Sequence, residues 1–528
     1  MAIYFCKRKL SLLIALPFLY GQYASASETL HELAQDLQTG KTTASQIFDA
    51  YDARIKMYNP GLQAVSTRNP QARADALAAD SAADHADQKQ KPRGSLAGLP
   101  LLLKDNIAVQ GMVTTAGSLA LADNLAAQDA PVVARLRAAG AIILGKANLS
   151  EWANLRSSQS TSGWSSVAGQ TRNPYAPERS PCGSSSGSGA AVAARLIPAA
   201  IGTETDGSIV CPASVNGLVG LKPTIGLVSR TGIVPLSHSQ DTAGPMTLNV
   251  RDAAMLLNVM AGSDAQDPVT RTANHHRSKD YTAGLQATAL QGKRLGIVRK
   301  LVDGYDSETK TLFDQSLAIL IAQGATVVDQ IDLPYLEELD KDELTVLLYE
   351  FKADLNAYLA KTPATVKTRT MADVIAFNKQ HADTVMPYFA QELMEQAQAK
   401  GKLSDVAYRQ ASARIKLRAG KQGIDAVLKK YKLDALIAPT TGTAWLIDYK
   451  AGDVLEGSSS SPAAIAGYPH LTVPMGQVRG LPVGLSLFAG AWSEAKLLNM
   501  GYAFEQARPA LSAPSLATTA TAATTRQP

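Results

Sequence analysis

The chain has 528 residues, 46% of them hydrophobic and 18% charged, with 51 lysines and arginines against 46 acidic residues. This composition is ordinary for a soluble globular enzyme, and the length would allow about three domains of roughly 150 residues each. The small net charge gives no electrostatic reason to bind nucleic acid or an anionic membrane surface.

The first 26 residues have the pattern of an export signal. A basic start at residues 7–9 precedes an apolar segment, Leu10 to Tyr20, and a site of small residues ends at Ala26. We therefore predict a signal peptide over residues 1–26 that is cleaved during export, and a periplasmic or secreted protein. The apolar segment is shorter than the about 20 residues that span a bilayer, so no stable membrane insertion is expected after cleavage.

Cleavage would leave Cys182 and Cys211 as the remaining cysteines. An exported protein can oxidise such a pair, but two cysteines do not define a disulfide framework. The sequence is compatible both with two small buried side chains and with a disulfide.

Apolar residues at helical spacing predict an N-terminal helical layer over residues 27–90. Its first helix should end near Gly40, its second should end before Pro60, and a third should follow from Gln71. Later in the chain, residues 335–430 read as mostly helical. Residues 511–528 lack periodic large apolar side chains and are predicted to be a disordered tail.

Between these regions, short buried strands alternate with helices, which indicates an α/β fold. The predicted strands cover residues 99–103, 141–145, 295–298, 325–328, 433–438, 470–473 and 483–488. The predicted helices between them cover residues 131–139, 250–260 and 307–322.

The stretch from Cys182 to Met246 has the most unusual composition of the chain. Its glycines and hydroxyl residues are too many for an ordinary helix, and its apolar residues are too many for a linker. Residues 190–201 should form a short buried helix and then a strand into Gly202. Two serine-bearing loops, one on each side of this unit, are therefore expected in the interior.

Three motifs resemble the amidase signature family. They are Gly-Ser-Ser-Ser-Gly-Ser from residue 183, Thr-Glu-Thr-Asp-Gly-Ser-Ile from residue 203, and Leu-Leu-Leu-Lys-Asp-Asn from residue 101. The segments Gly-Leu-Lys-Pro-Thr and Ser-Gln-Asp-Thr-Ala-Gly-Pro follow in the family's order. The resemblance extends from about residue 28 to 508.

This resemblance implies a fold and a set of roles. The fold is a single large α/β domain over residues 27–510, with a mixed, mostly parallel sheet flanked by helices on both faces and a helical cap at about 335–430. In the implied chemistry Ser208 is the nucleophile, Ser184 is the bridging serine and Lys104 is the base. Backbone N–H groups from Thr205 to Ser208 would form the oxyanion hole, including those of Asp206 and Gly207.

The resemblance also implies supporting roles for Ser185 and Asp241, and it implies no cofactor and no metal. The adjacent histidines 275 and 276 lack metal-ligand spacing. The hydroxyl-rich segment 150–166, with Trp152 and Trp164, is expected to help line the substrate pocket. Taken alone, segment 150–166 could equally be a polar surface loop.

One departure from the family pattern concerns the nucleophile loop. Where the family commonly has Gly-Gly-Ser-Ile-Arg, this chain has an acidic residue, Asp206, and ends in Val210. This variant most resembles bacterial peptide amidases, which implies hydrolysis of C-terminal peptide amides with release of ammonia. An exported aryl acylamidase or aliphatic amidase is the alternative.

Three further functions are compatible with the sequence. Residues 183–187 match the Gly-x-Ser-x-Gly pattern of α/β-hydrolase esterases, with Ser185 as nucleophile and His238 or His470 as a possible base. The second is the supply of ammonia to a transamidation complex by an amidase of this family. The third is ligand binding on an inactive amidase scaffold.

Overall fold

The structure, a computed structural model, describes residues 29–84 and 94–516. The predicted signal peptide lies outside the described residues, as do residues 517–528 of the predicted tail. No helix in the described ranges is long and apolar enough to cross a membrane.

The strands are β1 (Val65–Arg68), β2 (Pro100–Lys104), β3 (Ile142–Ala147), β4 (Trp164–Ser165), β5 (Gly169–Gln170), β6 (Ala199–Glu204), β7 (Val219–Lys222), β8 (Thr242–Thr247), β9 (Arg294–Ile297), β10 (Thr326–Val328), β11 (Ala435–Pro439), β12 (His470–Val478) and β13 (Leu481–Phe488).

The α-helices are α1 (Leu30–Gln38), α2 (Ala44–Leu62), α3 (Ala72–Asp84), α4 (Pro131–Ala138), α5 (Ser186–Ala193), α6 (Val210–Val215), α7 (Val250–Met260), α8 (Ala273–His276), α9 (Ser307–Ala322), α10 (Leu336–Leu359), α11 (Met371–Gln380), α12 (Ala382–Val385), α13 (Glu392–Gln398), α14 (Val406–Ala419), α15 (Asp425–Tyr431), α16 (Ser461–Ala466) and α17 (Glu494–Ala507).

Eleven of these strands form one mixed sheet in the order β1-β3-β2-β6-β8-β7-β12-β13-β11-β9-β10. The parallel pairings occur in two groups of three strands, β3-β2-β6 and β11-β9-β10. The strands between these groups pair antiparallel. The predicted α/β class with one mixed sheet is confirmed. The parallel pairings lie in the two groups, and the strands in the middle of the sheet pair antiparallel.

Strands β2 and β6 lie side by side in the first parallel group, with Leu102 opposite Ala200 and Leu103 opposite Ile201. Every residue of both strands is buried, as expected for parallel strands covered on both faces. Because parallel strands end at the same edge of a sheet, Lys104 at the end of β2 is brought next to Thr203 at the end of β6. This edge carries the candidate site.

The N-terminal layer consists of α1 to α3 together with β1, which pairs with β3 and was not predicted. Thr29 and Thr43 cap α1 and α2 in reciprocal capping boxes. The prediction that Pro60 ends α2 was wrong, because the helix continues to Leu62. In the last turn the proline removes only one helical hydrogen bond, and left-handed Gln63 closes the helix with its N–H on Asn59 O at 2.7 Å.

Residues 335–430, the predicted cap, contain α10 to α14 and most of α15, and α10, α11 and α13 pack around a second apolar cluster that includes Leu355, Leu359, Met371 and Met394. Arg156 links the cap to the rest of the domain. Its fully buried guanidinium forms an ion pair with Glu151 at 2.9 Å and donates hydrogen bonds to the carbonyl oxygens of Val385 and Phe389. These contacts join the hydroxyl-rich segment to the cap.

Residues 190–201 were predicted to hold a short helix and then a strand into Gly202; the strand is β6, and the helix begins earlier, as α5 over Ser186–Ala193. All of its residues are buried, so its small side chains show no amphipathic pattern that could mark its start. Near the end of the described residues, Ser512 exchanges two hydrogen bonds with Gln477, each of 3.2 Å. The first residues of the predicted tail therefore contact the body.

Candidate active site

Lys104 and Ser184 are in direct contact inside the protein. The lysine Nζ lies 2.7 Å from Ser184 Oγ, 3.1 Å from the carbonyl oxygen of Thr203 and 2.9 Å from Thr203 Oγ1. Both side chains are completely buried. The structure thus brings together two residues 80 positions apart in the chain, as the sequence predicted.

Burial lowers the pKa of Lys104 from 10.5 to about 7, and the negative charges of Asp241 and Glu204 oppose this effect. A neutral amine has two N–H groups and one lone pair. The two N–H groups can bond to Thr203 O and Oγ1, which leaves the lone pair for the hydroxyl proton of Ser184. The site can therefore hold a lysine that accepts a proton from serine near neutral pH.

Ser208 lies in the loop between β6 and α6, which we call the nucleophile loop (residues 205–208). The backbone N–H of Ser185 donates to Ser208 O at 3.2 Å, so the loops carrying the two candidate serines are adjacent. The Ser208 side chain is buried, and Gly207 takes a left-handed φ of +76°. A Cβ at Gly207 would also lie 3.0 Å from Ser460 Oγ.

The backbone N–H groups of the nucleophile loop are unpaired. Among the described residues, none of the four from Thr205 to Ser208 has a hydrogen-bond acceptor. The N–H groups that follow are occupied, because Glu204 Oε2 accepts from Ile209 N at 2.7 Å and from Val210 N at 3.0 Å. The loop therefore presents free donors of the kind that an oxyanion requires.

The two predicted supporting residues hold the backbone of the site. Ser185 Oγ donates to Thr203 O at 3.0 Å and accepts from Thr203 N at 3.2 Å. Asp241 accepts from Thr205 Oγ1 at 2.6 Å and from the N–H groups of Leu236 and Ser237, both at 2.8 Å. Burial raises the pKa of Asp241 to about 6.

Cys182 and Cys211 form a disulfide, with their Cα atoms 6.1 Å apart. Of the two possibilities compatible with the sequence, two small buried side chains or a disulfide, the structure shows the disulfide. Cys182 lies two residues before Ser184 and Cys211 lies three residues after Ser208, so the bond links the two serine-bearing segments. Val215, Ala444 and Trp445 pack around it.

A cavity of about 970 Å³ adjoins this site. Asn106, Thr203, Thr205 and Asp241 belong to its wall, whereas Lys104 and the two serines do not. Asn106 Nδ2 donates to Thr203 Oγ1 at 2.9 Å, so the wall contacts the partners of the lysine directly. The cavity therefore reaches both the partners of Lys104 and the first residue of the nucleophile loop, Thr205.

The cap and the hydroxyl-rich segment supply part of the remaining wall, which includes Phe351, Asp354 and Tyr358 of α10 and Trp152. Trp152 thus lines the cavity as expected. Trp164 instead packs edge-on against Tyr388 and Phe389 at centroid distances of 5.7 and 5.2 Å. The expectation that this segment lines the cavity therefore holds for Trp152. Trp164 does not line the cavity and instead packs against the cap.

The structure does not favour the esterase alternative. The hydroxyl of Ser185 is engaged by the backbone of Thr203, and no strand directly precedes the segment 183–187. His470 is buried on β12 with Nε2 2.6 Å from Ser486 Oγ. His238 is paired with Asp354 at 2.9 Å in the cavity wall.

His238, Glu350 and Asp354 bring their ligand atoms within 4.8 Å of one another. These groups already satisfy one another and their neighbours, since Glu350 accepts from the hydroxyls of Ser237 and Ser239 and from Tyr408 OH. The cluster therefore has a complete set of hydrogen bonds without a cation.

Sequence reasoning missed Thr203, Asn106 and Glu204. Thr203 holds the lysine, Asn106 holds Thr203, and Glu204 holds the start of α6. The sequence feature that could have identified them is their position: all three are polar residues at the ends of two apolar strands. Neighbouring parallel strands end at the same edge of a sheet. Only the known register of β2 and β6 shows that these ends meet.

The Amidase family model matches residues 46–498 of the chain. A probable amidase of Arabidopsis thaliana is 38% identical over 93% of this chain and 91% of its own length. The peptide amidase of Stenotrophomonas maltophilia has a crystal structure that superimposes with a TM-score of 0.87 at 48% identity, covering 94% of this chain and 99% of that one. The structure of peptide amidase PAM with the competitive inhibitor chymostatin gives a TM-score of 0.89 at 49% identity, covering 93% and 99% of the two chains.

More distant similarity includes a glutamyl-tRNA(Gln) amidotransferase component of Halorhodospira halophila. This protein is 35% identical over 91% of this chain and 97% of its own length.

The disulfide gives the first prediction. Replacing both cysteines by serine should lower the free energy of unfolding by about 3 to 4 kcal/mol, because a bond across 29 residues restricts the unfolded chain. Urea titrations of the two proteins measure this difference. Adding a reductant should bring the wild-type protein to the stability of the double variant and leave the variant unchanged. Equal stability of the oxidised wild-type protein and the variant would contradict the prediction.

Proposed function

The chain belongs to the amidase signature family and is a hydrolase of amide bonds, and from this premise we propose that it deamidates C-terminal peptide amides through Lys104, Ser184 and Ser208. The observation that carries the proposal is the 2.7 Å contact of a fully buried lysine with Ser184, next to the loop that contains Ser208. A serine hydroxyl is too weak a nucleophile at neutral pH without such a base.

In the proposed first step, Ser208 Oγ attacks the amide carbon while its proton passes to Ser184. Ser184 in turn gives its own proton to the neutral Nζ of Lys104. The carbonyl oxygen then carries negative charge, which the free N–H groups of the nucleophile loop would stabilise. One such donor contributes about 3 to 4 kcal/mol to transition-state stabilisation.

Collapse of this intermediate breaks the carbon–nitrogen bond. The ammonium of Lys104 returns its proton through Ser184 to the departing nitrogen, so ammonia leaves and Ser208 is acylated. A water molecule then attacks the ester by the same relay, releases the carboxylic acid and restores the neutral lysine. The chain's own residues supply every proton transfer in this sequence.

The proposed substrate class is supported by the cavity and by the relatives. A volume of about 970 Å³ is at the upper end of the range of ligand pockets, so the site has room for an extended acyl group. The cavity wall contains apolar groups such as Trp152 and Phe351 beside the charged pairs His238–Asp354 and Arg230–Asp267. A peptide has both apolar side chains and backbone polar groups, which suits such a wall.

We also propose that the mature protein acts outside the cytoplasm. This proposal rests on the export pattern of residues 1–26. Supply of ammonia to a tRNA-dependent transamidation complex would require a cytoplasmic protein, and the export pattern therefore favours independent peptide deamidation.

The nucleophile assignment predicts that Ser208→Ala lowers kcat at least about 1,000-fold, because the acyl-enzyme can no longer form. Ammonia release from an amidated dipeptide measures the loss. Ser512→Ala is the matched control, since Ser512 lies outside the cavity wall and the nucleophile loop and its variant should keep wild-type turnover. A folded Ser208→Ala protein with wild-type turnover would refute the assignment.

The lysine assignment predicts an acid limb in the pH profile of kcat/KM with an apparent pKa of about 7, because only neutral Lys104 accepts a proton. Activity should fall about tenfold for each pH unit below this value. Asp241→Asn removes a negative charge that raises the pKa of Lys104, so its acid limb should move to lower pH. An acid limb that stays in place in this variant would contradict the role of Lys104.

The substrate proposal predicts a ranking among three amide classes. Amidated dipeptides should give a higher kcat/KM than free amino-acid amides, since they fill more of the cavity, and a higher one than aryl anilides of acetic acid. Assays of ammonia or aniline release with purified protein provide the comparison. Activity confined to anilides or fatty amides would replace the peptide assignment while retaining the Lys104–Ser184–Ser208 chemistry.

A further inference from the structure

Asp206 is the acidic residue that departs from the family pattern of the nucleophile loop, and its side chain faces the cap. The carboxyl lies beside Ser460, Ser461 and Glu343 of α10, all of which act on its pKa. Its Oδ1 atom is buried and has no hydrogen-bond partner among the residues that the structure describes. If Asp206 were ionised, this buried oxygen would accept no hydrogen bond.

Glu343 is equally enclosed, with 7% of its surface exposed. It accepts a hydrogen bond from Gln240 Nε2 at 2.7 Å, and the same amide group lies 3.4 Å from the carbonyl oxygen of Thr205. No lysine or arginine in the described part of the chain lies within ion-pairing distance of either Asp206 or Glu343. Two adjacent buried carboxyl groups that act on each other's pKa are strongly disfavoured when both are ionised and no cation pairs with them.

We propose that Asp206 and Glu343 share one proton, and that this carboxyl pair positions the nucleophile loop against cap helix α10. In this arrangement the protonated carboxyl donates a hydrogen bond to the ionised one. The two residues are positioning residues, since they act on the N–H groups of residues 205–208 through the backbone. The inference rests on the proposed function of that loop.

The charged groups around the pair agree with a retained proton. Asp340 lies on α10 one turn before Glu343, and its charge raises the pKa of both carboxyl groups. Burial also raises the pKa of Asp206, of Glu343 and of Glu204 on β6. Lys222 on β7 is the buried cation on this side, and Gln240, Ser460 and Ser461 are the neutral neighbours.

The sign of the pH effect follows from these raised pKa values. Burial and the neighbouring negative charges raise the pKa of both carboxyl groups, and the shared proton is lost as the pH rises through the apparent pKa of the pair. Two negative charges then repel across the contact between loop and cap. Activity should therefore decline on the alkaline side through loss of loop geometry, separately from the acid limb of Lys104.

The test compares Glu343→Gln, Glu343→Ala and the control Glu337→Gln, in which an exposed glutamate of the same helix is changed. An amide at position 343 can donate to ionised Asp206 but has no proton to lose at high pH. We expect Glu343→Gln to move the alkaline limb of the pH profile upward by about one pH unit or more. Glu343→Ala should lower kcat about tenfold or more at all pH values, and Glu337→Gln should keep the wild-type profile.

Two readouts are needed. The first is kcat/KM for an amidated dipeptide, and the second is the rate at which a fluorophosphonate labels Ser208, which needs the loop but no particular acyl group. If Glu343→Gln does not fold, Asp206→Asn carries the same test from the opposite side of the pair. An alkaline limb identical in both readouts for wild type and the glutamine or asparagine variant would overturn the shared proton.

Failure of the proposed function gives a different result. In that case the fluorophosphonate would label the Ser208→Ala protein as fast as the wild type. Selective labelling of Ser208 together with an unchanged alkaline limb would refute the carboxyl pair alone.

Discussion

The removal of Lys104 from water is the constraint on which the site depends. The end of a buried strand places its amine where, among the described residues, its hydrogen-bond partners are Ser184 and Thr203. Desolvation disfavours the ammonium form, and among the described residues no carboxylate lies within ion-pairing distance to restore it. The neutral amine then has a single lone pair, and the surrounding hydrogen bonds direct it to Ser184.

A neighbouring lysine shows how much the partner matters. Lys146 on β3 is as deeply buried as Lys104, and burial lowers its pKa too. However, Asp105 lies 2.9 Å from its Nζ, and the hydroxyl of Thr114 lies 3.2 Å away. This lysine has a counterion and holds the turn after β2 in place, whereas Lys104 has hydroxyl and carbonyl groups that suit proton exchange.

Much of this site could be predicted because its main residues lie in short, dense sequence patterns. Lys104 follows an apolar strand, and both serines lie in glycine-rich segments, so each was visible locally. Glu343 was not, because nothing in an amphipathic helix marks which acidic residue meets a loop far earlier in the chain. That contact depends on how the cap docks, which is a matter of tertiary packing.

The fold shows the same division between local and tertiary information. Helices α7 and α9 were predicted with their observed bounds, because each has a clear apolar face or cap. The start of α5 and the end of α2 were misplaced. In α5 every side chain is buried and small, and in α2 the hydrogen bonds of the last turn tolerate Pro60. Local sequence rules fail where burial or a helix end removes the usual signal.

The position of Glu343 on α10 connects the chemistry to substrate selection. The same helix carries Glu343 near its start, against the nucleophile loop, and Phe351, Asp354 and Tyr358 further along, in the cavity wall. One helix therefore contacts the nucleophile loop and forms part of the cavity wall. The loop needs an acidic residue at 206 because a glycine there would leave Glu343 buried without the carboxyl group that shares its proton.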